Sequence, residues 1–314
     1  MTKLVHRELL LAKTEAVYGT DPLPTAAANA VLTENLSWSH AGLKMEKRPS
    51  VRISNAPLQD IYGGSLKTVT FDVDLRGSGA AGTAPDFDAL LQACGMVDTI
   101  VAATSCSYAP SSIPASQTSC TIYYYEDGSL VKLTGCRGSY QVDLKAGQVP
   151  KIKFTMTGHW SPMTDVALPT PTLNATVPPA ALGVPVALGA YSPIVETFMV
   201  DAGIKVDMVP EINAPDGYGP VLITERMIHG TIDPQADTVA DYPFLADFTG
   251  GVLASLSTGV IGVTAGNRFQ ITMPAVYFTE IKPGARNGVR VYDCDYAAVE
   301  NGANLDSDIS IEFT

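Results

Sequence analysis

Six residues, Gly77-Ser78-Gly79-Ala80-Ala81-Gly82, spell G-x-G-x-x-G, the pattern by which a glycine-rich turn brings a pyrophosphate against a helix N-terminus. The hexapeptide follows a strand pattern and precedes a helix pattern, as that chemistry asks. A dinucleotide site also needs a parallel βαβ unit, a long helix behind the glycines and a ribose-binding carboxylate about 20 residues on. Here the preceding strand is amphipathic and the helix short, so these glycines read as a flexible strand-to-helix loop. The four histidines, His6, His40, His159 and His229, are scattered, with no H-E-x-x-H and no pairing with a carboxylate that would hold zinc. There is no G-x-S-x-G elbow for a serine nucleophile. Asp293 and Asp295 flank Cys294 on one strand pattern and read as a solvated face, not a catalytic pair. Tyr123, Tyr124 and Tyr125 put aromatic rings on both faces of a strand; with few basic residues near them they read as core or interface packing, not as a stacking platform for bases. Asn35-Leu36-Ser37 and Asn174-Ala175-Thr176 match the glycosylation acceptor pattern, but with no secretory signal expected they read as coincidences. The expectation is a protein without catalytic residues, cofactor or metal.

Composition narrows the partners. The chain has 314 residues, 46% of them hydrophobic, and a formal net charge of −12. That length is comfortable for two domains. An acidic chain does not hold a phosphate backbone by neutralising it, although it can lie beside nucleic acid without sticking. No apolar run approaches the ~18 residues of a membrane-spanning helix, so no membrane partner is expected. The apolar stretch Leu9 to Ala12 is too brief for a signal peptide, and no export is expected. The five cysteines, Cys94, Cys106, Cys120, Cys136 and Cys294, are irregularly spaced. They read as reduced thiols, with at most one incidental disulfide in the Cys106–Cys136 segment, which suits assembly in a cytoplasm.

The elements that would position these residues are mostly strands. In Lys67 to Gly77, Val69, Phe71, Val73 and Leu75 alternate with Thr68, Thr70, Asp72, Asp74 and Arg76, which predicts a strand with one buried and one polar face. Thr121 to Gly135 reads as two strands around the Asp127-Gly128 turn. Ser139 to Trp160 reads as two more around Ala146–Pro150, with Tyr140, Val142 and Leu144 and then Ile152, Phe154 and Met156 inward. Such half-polar strands belong to antiparallel sheets. One short helix is predicted over Thr83 to Gly95, with Thr83 as N-cap, Pro85 in the first turn and Gly95 as the stop. From Val166 to Val186 the chain carries five prolines and no charge, the composition of a stiff, extended connector.

Beyond the connector the first half recurs in order. Ala41-Gly42-Leu43-Lys44 returns as Ala202-Gly203-Ile204-Lys205, each with a proline five residues later. Ile61–Gly64 returns as Gly217–Pro220, Thr70–Gly77 as Ile223–Gly230, and Pro85–Gly95 as Asp241–Gly251 with Asp241 as a possible cap. Tyr140-Gln141 aligns with Phe269-Gln270, and the stretch ending at Trp160 with the one ending at Val299. Single short matches of this kind arise by chance, whereas six in one order predict a duplication. The expected fold is mainly β: a domain over 1–165 with an N-terminal arm over 1–35, a proline-rich linker over 166–190, and a second domain over 191–314. Each domain is expected to be a β-sandwich or open barrel with one short flanking helix.

This order of arm, strand, long loop (Arg48 to Ser65), returning strand, short helix and hairpins resembles the tail tube, or major tail, proteins of long-tailed bacteriophages. Leu75–Gly95 and Tyr123–Gly147 look especially similar to that family. The resemblance implies a structural virion protein. Its rings stack into a hollow tube, closed by one continuous inner barrel, through which double-stranded DNA passes without specific binding. It also implies a tape-measure protein in the lumen, tail terminator and tail-tip proteins at the ends, assembly in the host cytoplasm, and loops that reach between rings. The usual family member carries one such domain and forms hexamers. Two domains per chain imply a homotrimeric, pseudo-hexameric ring, with nothing that suggests a sheath-binding specialisation, so a sheathless tail is favoured.

On this reading the polar strand faces, Thr68, Thr70, Asp72 and Asp74 with Ser139, Gln141 and Asp143, line a hydrated lumen, with Thr224 and Glu225 as further candidates. Arg48, Pro49, Arg52, Asp60 and Tyr62 mark the inter-ring loop. Lys145, Lys151 and Lys153 stand out against the acidic wall, as exceptions or as ring-to-ring ion pairs. Two rivals are a monomeric β-sandwich adhesin or receptor-binding tail component, which predicts aromatic clusters at loop tips, and a hydrolase on a β-scaffold. The aromatics Phe71, Phe154, Phe269 and Tyr292 lie in strand patterns instead, and no hydrolase signature is present.

Overall fold

The computed structural model describes residues 3–4, 6–302 and 304–314. In chain order the strands of the first stretch are β1 (Glu8–Thr14), β2 (Ala30–Val31), β3 (Glu34–Ala41), β4 (Met45–Glu46), β5 (Ile61–Tyr62) and β6 (Leu66–Asp74). Helix α1 (Asp88–Ala93) precedes β7 (Met96–Val101), β8 (Ser105–Pro110), β9 (Cys120–Glu126), β10 (Ser129–Lys145), β11 (Lys151–Trp160) and β12 (Thr164–Asp165). Then come β13 (Ala187–Leu188), β14 (Thr197–Asp201), β15 (Ile204–Pro210), β16 (Tyr218–Arg226), β17 (His229–Ile232) and helix α2 (Phe244–Gly250). The chain closes with β18 (Ala254–Ser257), β19 (Phe269–Arg286), β20 (Val289–Ala298) and β21 (Ser310–Phe313).

All strand pairings are antiparallel. Two short hairpins, β4–β5 and β15–β16, stand apart as separate two-stranded sheets. The other strands form one large sheet that wraps a common core. Among the described residues its pairings branch without returning to their start, so no ring of hydrogen-bonded strands closes within the chain. The spine of the sheet runs β3-β6-β11-β10-β14-β17-β20-β19.

The branching comes from two long strands that each serve two layers. Along one edge the first half of β10 pairs with β9 and its second half with β14; along the other its start pairs with β12 and the rest, from Leu133 to Asp143, with β11. Between them lies Gly135, at φ +61°, where the register shifts on both sides. A bulge of this kind bends a strand from one sheet layer into the next. β19 behaves alike: its first half pairs with β18 and β21 and its second with β20.

The core lies between the layers. Phe71 and Phe154 face each other across β6 and β11 with ring centroids 5.7 Å apart, and Phe87 packs 5.9 Å from Phe313 of the last strand. All four rings are buried, and each such burial contributes roughly 2–3 kcal/mol. Because Phe313 and Tyr108 also meet at 6.0 Å, one cluster of apolar side chains spans both ends of the chain.

Several expectations are corrected here. The sheet runs on across the expected boundary, where β10 pairs with β14 and β8 with β21, so the two stretches share one large sheet. The physical reason is edge satisfaction, since a strand such as β10 left half unpaired would expose a row of backbone donors and acceptors. Of the expected N-terminal arm, Glu8–Thr14 is a sheet strand paired along its length with β9. Thr83 does not cap α1, whose N-cap is Phe87, and Asp241 does not cap α2, which follows Pro243. The buried Leu90, Leu91 and Ala93 hold α1 by tertiary packing instead. The segment over 166–186 forms no strand or helix and is pinned to both stretches, by Thr172 N–H to Ala26 O (2.9 Å), Ala181 N–H to Gln148 O (2.8 Å) and Asn267 Nδ2 to Val177 O (2.7 Å).

The chain start is fixed by one buried carboxylate. Glu15 accepts hydrogen bonds from Gly19 N–H (2.7 Å), Ser119 Oγ (2.6 Å), Thr121 Oγ1 (2.6 Å) and Gly135 N–H (2.7 Å). It thereby ties β1 to β9 and to the bulge in β10. Deleting it would strand several buried donors. Glu15→Ala is expected to lower unfolding free energy by about 3 kcal/mol, with a smaller loss for Glu15→Gln. Urea titration checks this, and an unchanged midpoint for Glu15→Ala would refute the role.

Candidate functional site

Alternation sorts the side chains of β6, β11 and β10. Val69, Phe71, Val73, Tyr140, Val142 and Leu144 are buried, while Thr68, Thr70, Asp72, Asp74, Ser139, Gln141 and Asp143 look the other way. The register then lines the second set up in rows. Thr70, Thr155 and Ser139 form one row. Glu34, Asp72, Lys153, Gln141, Asp201, His229, Ala297 and Tyr277 form the next. Asp74, Lys151, Asp143, Met199, Thr231, Asp295 and Glu280 form the third. All seven polar residues singled out in the sequence on these strands therefore share one continuous face.

The same rows hold residues that sequence reasoning did not place there. Asp201, His229 and Thr231 join the face only through the β10–β14 pairing, which no local signal announces. Asp295 was legible as part of a solvated face but not as a member of the row that holds Asp143. Thr224 and Glu225 do not join: they sit in the β15–β16 hairpin, where Thr224 Oγ1 donates to Asp207 Oδ2 at 2.6 Å.

Acidic groups dominate this face. Among its lysines, Lys151 is tied within the chain to Glu34, Nζ to Oε2 2.5 Å, and Lys153 stands in the row between Asp72 and Gln141. Lys145 lies 3.8 Å from Glu196 of the same chain. Asn35 Nδ2 donates to Asp72 Oδ2 at 2.7 Å, and Gln141 Nε2 to Asp143 Oδ1 at 3.3 Å. Desolvation, helped by the neighbouring Glu34 charge, holds the Asp74 carboxyl above its ordinary range. Desolvation likewise raises Asp143, with the charges of Asp72 and Asp201 adding to it.

Two hairpins project from the same side of the sheet, where β3 and β14 end. In the first, Arg48, Pro49 and Arg52 are exposed in the loop between β4 and β5, where Val51 and Ile53 are also bare. Arg52 clasps its own loop through the carbonyl oxygens of Ala56 and Pro57. Asp60 is half-buried at the return, and Tyr62 on β5 shares a 2.8 Å hydrogen bond with Ser65. The structure thus groups these five residues in one hairpin, away from the polar rows. The second hairpin is anchored by His159 Nδ1 to Asp216 Oδ2 at 2.5 Å and by Lys44 Nζ 3.9 Å over the Tyr218 ring.

The glycine-rich hexapeptide has a packing use. Gly79 N–H donates to Gly266 O at 2.9 Å, and Gly77 N–H to Asn267 Oδ1 at 3.1 Å. A Cβ on Gly77 would stand 2.1 Å from Gly266 O. Glycine is needed there because two backbones touch, and the loop cradles the chain's own turn, not a phosphate. All five cysteines are free and buried. Among the described residues no three His, Cys, Asp or Glu side chains converge as a metal would require.

An acid-rich sheet face, projecting hairpins and sheet edges left open define a mainly β structural protein. The family model for phage tail tube protein matches residues 6–314, and the chain belongs to that family. It is a structural protein and not an enzyme, part of the virion tail, in a family whose members self-assemble into the tube. A search of curated proteins found none that matches the chain.

The raised carboxyls have a testable consequence. A folded chain that holds Asp74 and Asp143 above their ordinary range binds those protons more readily than the unfolded chain. Their contribution to stability is therefore present at low pH and lost as pH rises through the folded values. Asp143→Asn is expected to raise the thermal midpoint of the dispersed chain at pH 7 by on the order of 1 °C, the exposed site being screened by solvent. The gap should close below about pH 4. Thermal unfolding between pH 3 and pH 8 checks it, and a midpoint at pH 7 lower than the parent's would show the opposite sign.

Proposed function

We propose that the chain is a duplicated tail tube subunit, that three copies close into one ring of six sheet segments, and that the rings stack into the hollow tube that conducts double-stranded DNA. The observation that carries this reading is the order of the spine. Its first four strands, β3-β6-β11-β10, and its last four, β14-β17-β20-β19, follow one plan. In each, a strand leads through a projecting hairpin to a second strand beside the first, then to a short helix. A long strand bent between two layers follows, and after it a strand that inserts between the long one and the second.

On this plan β6 answers to β17 and β10 to β19. The sequence match of Thr70–Gly77 with Ile223–Gly230 is then out of step, because the latter spans the end of β16 and the start of β17. Tyr140 and Phe269 likewise fall in different halves of their long strands. The pairings of Ala41–Lys44 with Ala202–Lys205, and of α1 with α2, keep their places. Gly42 and Gly203, both at positive φ (+60° and +55°), turn the chain into the two hairpins.

Among the described residues the spine ends in two open edges: β3 pairs only with β6, and the second half of β19 only with β20. Pairing these edges between copies would satisfy both and extend the acid-rich rows around a lumen. A wall of that sign repels phosphate, so DNA slides without being held. The lumen would take the tape-measure protein before DNA, with tail terminator and tail-tip proteins on the end rings. The long first hairpin is suited to ring-to-ring contact.

Negative-stain imaging and sedimentation of the concentrated protein test this reading. Rings and short tubes are expected, with image averages of three copies per ring. Monomers at every concentration would sink it. Replacing the exposed loop over 47–60 by a short Gly-Ser turn is expected to leave rings while shortening or abolishing stacks, read from the same images.

A further inference from the structure

The in-chain joint between the two halves is more than a strand pair. The β15–β16 hairpin lies against the first half: Ser139 Oγ accepts from Ile204 N–H at 3.2 Å, and Arg137 Nη1 donates to Val221 O at 2.9 Å. The apolar residues it turns toward the first half are covered there, although Val209 and Leu222 stay exposed. Ile204 is 8% exposed, and Val206 and Ile223 pack on the main core. Ile223 reaches the end of α1, its Cδ1 3.2 Å from where a Cβ on Gly95 would stand.

The counterparts on the other faces of the molecule are bare. In the first hairpin Leu43, which answers to Ile204, is 51% exposed, and Met45 and Ile61 are exposed as well. At the other end of the spine, Gly251 follows α2 at φ +59°, as Gly95 follows α1 at φ +77°, but nothing lies within 4 Å of a Cβ built on it. Beside it Phe248, Val252 and Leu253 are exposed, whereas Met96, which follows Gly95 as Val252 follows Gly251, is buried. One chain thus carries two uncovered apolar patches: one on the hairpin whose counterpart Ile204 is covered, the other at the end of the helix whose counterpart Ile223 reaches.

We propose that these patches are the two sides of one interface between copies: Leu43, Met45 and Ile61 of one subunit pack on Phe248, Val252 and Leu253 of the next. The inference rests on the duplicated-subunit reading above and names the contact that accompanies pairing of the open edges. The interface is head-to-tail, since the two patches are different surfaces. Its occupant is a second copy because the covered version of the same contact is made by this chain's own sequence.

Cysteine cross-linking tests it. The native cysteines are all buried, so Met45→Cys and Val252→Cys, both at exposed positions, would carry the reactive thiols. The two variants are prepared separately, checked for parental circular dichroism, mixed at assembling concentration and treated with a short bis-maleimide. A covalent dimer is expected at about ten-fold or more above a control mix of Met45→Cys with Val289→Cys, as the effective concentration of two held thiols dictates. Val289 is exposed at the start of β20. A dimer no stronger than the control, in a sample that still sediments as rings or tubes, overturns this interface and leaves the ring reading standing, with some other surface covering the patches. Monomers only, without cross-linking, overturn both.

Discussion

The backbone hydrogen bonds of strand edges constrain everything else in this molecule. β10 is long enough to serve two layers, and past the Gly135 bulge its edge can no longer follow β9. The five residues of β14 take up that edge, from Gln141–Asp201 to Lys145–Thr197. This one pairing makes a single sheet out of two stretches joined by a proline-rich segment. It also sets the direction in which the second hairpin leaves the sheet, and so brings Ile204 and Ile223 onto the first half.

The same pairing creates the acid-rich face. Alternation alone gives each strand a polar side, but rows form only where registers agree across every strand. Asp143 and Asp201 are neighbours of one row-and-column grid because β10 and β14 pair in the register they do. The cost of gathering carboxylates is spread in three ways. Lys151 is paired with Glu34, amide side chains donate to Asp72 and Asp143, and Asp74 and Asp143 hold their protons more firmly than free carboxyls. A face of this kind is a poor binding site for a polyanion and a good boundary for one.

Much of this was legible in the sequence where the signal was local. The period of two in Lys67–Gly77 gives β6 and both of its faces, Asp127-Gly128 gives the β9–β10 turn, and Ala146–Pro150 gives the β10–β11 turn. Helix existence was legible, but the caps were not, because Thr83 and Asp241 are good capping types that tertiary packing overrides at these positions. The polar face was legible only within the first half, since its continuation depends on a pairing between residues some 60 apart in the chain (Gln141 and Asp201). In the proposed duplication the recurrence of Ala-Gly-(Leu/Ile)-Lys keeps its place, with a left-handed glycine at both hairpin entries. The strand matches fall out of step there, because alternating sequences look alike whenever they are shifted by an even number of residues.

The two kinds of joint in the proposed ring differ in one physical respect. Inside the chain the joint is braced by the segment over 166–186, which is pinned to Ala26 and Gln148 on one side and to Asn267 on the other. It is braced again by β8 on β21 and by the glycine loop on Gly266. A joint between copies has no covalent connection and must also overcome the entropy of association. Part of the compensation has to come from apolar surface, and the chain keeps apolar surface uncovered at both ends of its spine. The hairpins differ as well, the first carrying a long exposed loop and the second a short anchored one. A ring built this way alternates between two joints and two arms, with threefold symmetry in fact and sixfold symmetry only in the path of its strands.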